Sequence, residues 1–353
     1  MRNLFFSLII LSLVSCSTVP GDSSSLPAPL PVKVVVVTMF EIGEDTGDKA
    51  GEFQLWRERR DLVEMPFHAW KNLYYNAEDD MLVMVTGIGT ARSTASVMAL
   101  GLDDRFDLSQ AYWIVTGIAG IDPQDATVGS AVWSDYLVDG DLSHEIDARE
   151  KPEEWPFGYF ARYTKKPFDE DKPNPTGEMY QLNSGLVEWA YQLTKDMEIK
   201  DDPSVQEIRD LYTDHPNAMG KPRVMKGDHI AALTFWHGTL MNDWANQWVN
   251  YWTEGKGNMV TSAMEDTGTY LSLSWLDKID RVDVERMLVL RTGSNFTTQH
   301  PGNTAAENLL HENEGYAGLK VAVEAAYDVA SKVADEITGN WEQYRDQLPN
   351  QEP

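Results

Sequence analysis

Two stretches of the chain repeat one another, and the repeat restricts the fold more than anything else in the sequence. "MLVMVTGIGT" (81 to 90) and "AYWIVTGIAG" (111 to 120) each run through strand-forming residues into Thr-Gly-Ile and a small residue. Between them "ARSTASVMALGLDDRF" carries helical spacing and a glycine break, so residues 81 to 120 read as strand, helix, strand. Matching Thr-Gly turns on two such strands imply a parallel pair with both turns at one carboxyl edge, where open α/β sheets place their ligands. "VKVVVVTMF" (32 to 40), apolar and β-branched, reads as the buried first strand of the same sheet.

The remainder fits that frame. "RVMKGDHIAA", "GNMVTSAMEDTGTYLSLSWL" and "RMLVLRTGSN" resume α/β texture from residue 223, and "GLKVAVEAAYDVASKVADEITGNW" is a final amphipathic helix. Residues 140 to 222 differ, being dense in proline, charge and aromatics, and read as a long irregular insertion that returns to helical periodicity at "QLNSGLVEWAYQLTKDM". The expectation is one α/β domain over 32–340, a central twisted mixed β-sheet flanked by helices, with a short tail at 341–353.

The amino terminus reads as a leader. Met1-Arg2-Asn3 is followed by "LFFSLIILSLV", too short to anchor a bilayer-spanning helix but suited to a secretory signal, and then by "LVSC", Leu13 to Cys16. That step resembles the lipobox of bacterial lipoproteins, in which Cys16 becomes the acylated amino terminus; an ordinary signal peptide with an incidental cysteine is the alternative. Ser17 after the cysteine suggests, by the same resemblance, the periplasmic side of a Gram-negative outer membrane. Residues 17–31, rich in serine and proline, read as an extended tether. The 29 Lys plus Arg against 56 Asp plus Glu give a net charge of −27, which argues against a nucleic-acid partner.

Several chemistries are set aside by absence of pattern. The seven histidines show no HExxH spacing, and Cys16 is the only cysteine, so a zinc site is not expected. There is no Walker-type loop and no GxSxG elbow; Gly87-Ile88-Gly89 is a bare GxG after the second strand rather than the first. What remains is an ordered series of strand edges: "TMFE", "TGIG", "TGIAG", "KGD", "AMED" and "RTGSN". In that order they resemble the nucleoside phosphorylase and nucleosidase superfamily over residues 32 to 335. "MFEIGEDTGDKAGEF", "FWHG", "AMEDTGTY" and "LRTGSNF" resemble more closely its purine nucleoside permease branch.

The resemblance implies cleavage or binding at a purine N-glycosidic bond, where positive charge develops on the ribose and negative charge on the departing base. Glu265 would accept hydrogen bonds from ribose hydroxyls and favour a cationic sugar, with Met264 against the sugar face. Asn295 stands where many relatives carry an aspartic acid; an amide donates a hydrogen bond to the purine but no proton, which favours a 6-oxopurine nucleoside. Phe235, Trp236 and His237, with Gly117, are the expected purine-binding group. Glu41 is the expected activator of water, with Glu44, Asp45 and Glu52 as rivals, while Asp228 reads as a loop-fixing residue. Gly87, Gly89, Arg92 and Thr116 would border a pocket for water or phosphate. The superfamily's phosphorylases carry an arginine and a hydroxyl residue where this chain has Val115 and Ile118, which favours water; Arg92 and Arg291 are the residues from which another phosphate site could be built.

Two functions follow from the resemblance. One is an extracytoplasmic purine nucleoside hydrolase, or a phosphorylase with inorganic phosphate as its sole accessory; the other is a non-catalytic lipoprotein that passes nucleosides to a transporter. No organic cofactor or metal is expected, and self-association is expected by analogy with relatives.

Overall fold

The computed structural model describes residues 28–312 and 315–349. The lipobox cysteine Cys16 and the tether through residue 27 lie outside the described residues. The chain folds as a large mixed sheet flanked by helices. Val34–Thr38 sits in its parallel centre, with Met81–Val85 on one side and Tyr112–Ile121 on the other. The two Thr-Gly strands are therefore parallel, with the first strand between them. Val34 to Val37 and Leu288 to Leu290 have no solvent exposure, as uninterrupted apolar runs require when helices cover both faces.

Tyr112–Ile121 organises the carboxyl edge. Met287–Phe296 runs parallel to it, and the register shifts between Gly293 and Asn295, opposite Ala119 and Gly120. This irregularity leaves Ser294 as an extra residue, so consecutive side chains that would alternate across a regular strand are re-aimed toward one place. The end of Tyr112–Ile121 also pairs antiparallel with Met259–Ala263 through Thr261↔Ile121 and Ser262↔Gly120. Asp228–Ala231, Tyr136–Asp139 and Met179–Gln181 extend the sheet beyond it. Leu73–Asn76 and Val63–Met65 add antiparallel strands at the opposite edge.

Helices Thr90–Gly101 and Asp266–Asp277 pack closely, because Gly268 has no Cβ; one there would lie 2.5 Å from Thr90 O. Helix Leu319–Gly339 covers the other face, accepting hydrogen bonds from Thr116 and Thr292 at Ala326 O and Ala322 O. The 140–222 insertion contains short strands and helices Ser184–Thr194 and Pro203–Arg209. It packs on the tryptophan-rich helix Thr239–Trp252: Tyr159 lies 5.2 Å from Trp244, and Lys172 Nζ 5.2 Å from the Trp252 ring. The segment read as a tail begins with a short helix, Trp341–Tyr344, and joins the core: Tyr344 is buried and its carbonyl accepts from Tyr112 Oη at 2.7 Å and Arg286 Nη1 at 3.0 Å. Among the described residues no helix is long and apolar enough to cross a membrane.

Candidate active site

A cleft of about 220 Å³ opens at the carboxyl edge, between the ends of Tyr112–Ile121, Met259–Ala263 and Met287–Phe296. Its walls are apolar, with Phe40, Phe235, Trp236 and Tyr316 among them, and its polar groups converge from three separate chain segments as Glu52, Glu265, and the pair Arg291 and Asn295 of strand Met287–Phe296. Phe235 and Tyr316 stack with ring centroids 6.3 Å apart and planes 12° from parallel. A flat apolar slot with a few converging polar groups suits a flat heterocycle joined to a polar portion.

Arg291 governs one end. Its Nη2 lies 2.7 Å from Asp266 Oδ2 and 3.0 Å from Glu265 Oε2, its Nη1 4.0 Å from Glu52 Oε1, and its side chain is 1% exposed. Glu265 caps helix Asp266–Asp277, yet its carboxylate reaches away from that helix to accept the Gly89 N–H at 2.8 Å. Gly89 has φ +100°, a left-handed conformation that glycine adopts without strain and that aims this N–H across the edge. Behind Arg291, Asp266 lies 2.9 Å from His229 Nε2, and His229 Nδ1 is 2.9 Å from Thr261 Oγ1. Burial opposes ionisation of Asp266, but Arg291 and His229 outweigh it and hold the carboxyl well below its ordinary value. Burial raises Glu265, with Asp266 adding repulsion and Arg291 opposing.

Of the carboxylates that follow the first strand, the one that lines the cleft is Glu52 and not Glu41. Glu41 accepts backbone N–H groups of Ile42, Gly51, Phe53 and Gln54, and so ties the following loop to the start of helix Gln54–Arg59. It does not line the cleft. Glu52 does; it accepts Met39 N and Ile118 N, both at 2.8 Å, and burial pushes its carboxyl up to about 8 against the pull of Arg291. Gly117 makes this possible without touching the cleft itself, since a Cβ there would lie 2.2 Å from Glu52 Oε1. Of the other rivals, Asp45 pairs with Lys71 at 2.8 Å and Tyr74 at 2.6 Å, and Glu44 also lies outside the lining.

Asn295 holds the other end. Its Oδ1 accepts from Ser294 Oγ at 2.9 Å, and its Nδ2 donates to Glu312 Oε2 at 3.1 Å and Phe296 O at 3.3 Å. Met264, Phe235 and Trp236 line the cleft as expected. His237 turns away to meet Asn308, with Nε2 3.2 Å from Asn308 Nδ2, and burial lowers it to about 4.

The expected water or phosphate border does not assemble. Arg92 is exposed and stacks on Trp70, 5.0 Å from the ring centroid; Thr116 faces helix Leu319–Gly339; Gly87 lies outside the cleft; and Gly89 serves Glu265. Asp228 accepts Tyr136 N at 2.8 Å and Asn258 N at 2.7 Å, joining two loops away from the cleft. Sequence reasoning missed Asp266, His229, Tyr316 and Glu312. Asp266 and His229 carried a signal, standing beside the quoted Met-Glu and Gly-Asp steps, whereas Glu312 is 17 residues from the side chain it meets. Among the described residues, no group of three or more histidine, cysteine, aspartate or glutamate side chains is arranged to hold a metal ion.

The fold matches solved nucleosidases of much lower sequence similarity. A 5'-methylthioadenosine/S-adenosylhomocysteine nucleosidase from Neisseria meningitidis superposes with TM-score 0.51 and 15% identity, covering 86% of this chain and 99% of that one. A futalosine hydrolase of Helicobacter pylori gives TM-score 0.52 and 14% identity over 86% and 98% of the two chains. In sequence, a probable purine nucleoside permease of Schizosaccharomyces pombe is 26% identical over 354 aligned positions, 96% of this chain and 99% of that protein. A purine nucleoside permease of Candida albicans is 24% identical over 318, covering 88% and 76%. The model of the purine nucleoside permease (NUP) family matches residues 31–349, so the chain belongs to that family.

Proposed function

We propose that the cleft binds purine nucleosides and cleaves their N-glycosidic bond, with water as the acceptor. The observation that carries this reading is the convergence of Glu52, Glu265 and Arg291 at one end of a cleft whose other end is aromatic walls and an amide. As the bond to the base breaks, its electron pair leaves with the purine and the ribose becomes cationic. Buried carboxylates stabilise that cation more than they do the neutral ground state. In its ionised form Glu52 takes a proton from water, whose oxygen then bonds to the sugar; the departing purine anion gains a proton from solvent, and Glu52 gives its own back to solvent. Phe235, Tyr316 and Trp236 hold the base, and Asn295 meets its edge.

Water is favoured over phosphate by charge. Arg291 is the cation of the cleft lining, and it already faces Glu52, Glu265 and Asp266. A phosphate placed there would find no free counter-charge, since that guanidinium is already held by buried carboxyls. The leader ending at Cys16 adds to this reading an extracytoplasmic, lipid-anchored location, tested by fractionating a Cys16→Ser variant.

The family description favours a second reading, in which the chain binds nucleosides and delivers them to a transporter. It too is compatible with described helices that are not of membrane-spanning character. Incubation of purified protein with inosine separates the readings. Hypoxanthine and free ribose, released at one rate with or without phosphate, support the hydrolase. Ribose 1-phosphate would move the assignment to a phosphorylase, and saturable binding without turnover to the carrier.

A further inference from the structure

Glu312 closes helix Ala305–Glu312, and its side chain, 12% exposed, stands directly behind Asn295. Its two oxygens have different company. Oε1 accepts Asn308 Nδ2 at 3.1 Å, and the same amide nitrogen is 3.2 Å from His237 Nε2, so the imidazole there is the acceptor and carries its hydrogen on Nδ1. Oε2 faces Asn295 Nδ2 at 3.1 Å and His237 Nδ1 at 3.9 Å. His237 Nδ1 is buried and has no hydrogen-bond partner. Each oxygen thus accepts one amide N–H, and because the Asn308 amide is also held by His237 Nε2, the Asn295 amide is the one that can turn to accommodate a proton on Oε2.

The two ends of an amide are nearly the same size and opposite in hydrogen-bond sense, so the neighbours of Asn295 determine which way it is turned. An ionised Glu312 only accepts: it requires Nδ2 toward itself, with Phe296 O taking the second N–H, and leaves Oδ1 to receive Ser294, which lines the cleft beside Asn295. A neutral Glu312 has an O–H to donate. It can hold Oδ1 instead; the amide then gives up its N–H contact with Phe296 O and turns Nδ2 toward Ser294 Oγ, which accepts while its own O–H goes to Ala119 O.

We infer that Glu312 is a positioning residue whose proton sets which end of the Asn295 amide faces the bound base, so that the cleft favours a hydrogen-bond-accepting purine edge when Glu312 is neutral and a donating edge when it is ionised. This rests on the purine reading above. Burial pushes the Glu312 carboxyl up to about 8, with the Asn295 and Asn308 amides opposing, which places the exchange within the working range of most proteins. The titratable groups that face it are His237, lowered to about 4 by burial, and Tyr212 and Tyr316, both raised chiefly by burial; all three stay neutral across that window. Glu52, also near 8, belongs to the opposite end of the cleft and acts alike on different bases.

Calorimetric titration of the full chain with hypoxanthine and with adenine, at about pH 6 and about pH 8.5, tests this through the ratio of the two affinities. Exchange of one hydrogen-bond sense for the other should move the ratio toward adenine by roughly 5- to 10-fold as pH rises. In Glu312→Gln, which keeps two hydrogen-bonding atoms but no titrating proton, and in Asn295→Ala, the ratio should be independent of pH. A ratio that stays constant in the parent, or still shifts in Glu312→Gln, overturns the assignment while leaving the purine reading in place. Binding of neither base overturns both.

Discussion

The two ends of the cleft solve opposite problems. At the Arg291 end, three carboxylates surround one guanidinium, and each has further fixed partners: Glu265 the Gly89 N–H, Glu52 the Met39 and Ile118 N–H groups, Asp266 the His229 ring. At the Asn295 end, two amides, a serine and a carboxyl raised to about 8 form a hydrogen-bonded chain with no fixed charge among its amides and hydroxyl. The difference teaches where rigidity and discrimination reside. Charges buried together must be fixed, because an unpaired one is costly at low polarity, whereas neutral groups can exchange donor for acceptor at small cost.

The largest effect should come from breaking the charged end. Arg291→Met leaves Glu52, Glu265 and Asp266 buried without their cation, and should cost about 3–5 kcal/mol of folding stability. Denaturant unfolding measures this; a loss below about 1 kcal/mol would mean that the carboxylates are relieved by protonation or water. Glu265→Gln keeps shape and removes charge, and should lower turnover of inosine by about 10²-fold or more with a smaller loss of binding. An unchanged kcat would reduce Glu265 to a structural cap.

Glu52→Gln sharpens the comparison through pH. Because the carboxyl is raised to about 8, its ionised form, the one proposed to activate water, accumulates as pH rises through that value. kcat/KM should climb over the same range in the parent and lose that climb in the variant. The same proton couples to folding. The folded state retains it between the ordinary carboxyl value, 4.5, and about 8, so the contribution to stability is full below the first and lost as pH rises through the second. Thermal unfolding across this window should fall less steeply in Glu52→Gln.

Asn295→Asp perturbs the adaptable end. The new carboxyl would lie against Glu312, the two would share a proton, and cleavage of adenosine relative to inosine should rise several-fold, with a new acidic limb in the rate profile. An unaltered substrate ratio would show that this side chain never meets the base. The smallest effect on turnover is expected for Glu41→Gln, which disturbs a carboxylate holding four backbone N–H groups outside the cleft. Stability should fall by about 1–2 kcal/mol with kcat within about 3-fold of the parent. A loss comparable to that of Glu52→Gln would return Glu41 to the mechanism.

Much of the frame was legible in the sequence, for a physical reason. Strand runs such as Val34 to Val37 and Leu288 to Leu290 are apolar because both their faces are covered, and the Thr-Gly edges repeat because both strands end at one rim. The resemblance carried by the order of those edges implied a common site for Glu265, Met264 and Asn295, and all three line the cleft. Trp236 was found for the same reason, while its neighbour His237 was assigned to the wrong side, since adjacent residues of a loop give no sign of which one turns inward.

Only the tertiary structure decided which carboxylates reach the cleft. Glu41 and Glu52 both stand near the end of the first strand, and nothing in their local pattern ranks them. The loop between them folds back so that Gly51 meets Glu41 and the Glu52 side chain passes over the bare Gly117 to reach Arg291. Glu312 required a longer return, from Asn295 through helix Ala305–Glu312, before a carboxyl 17 residues away could meet an amide. Periodicity reports which face of an element is buried; the partner of a buried charge is set by where distant backbones approach, and that information is shared among segments that no single window of sequence contains.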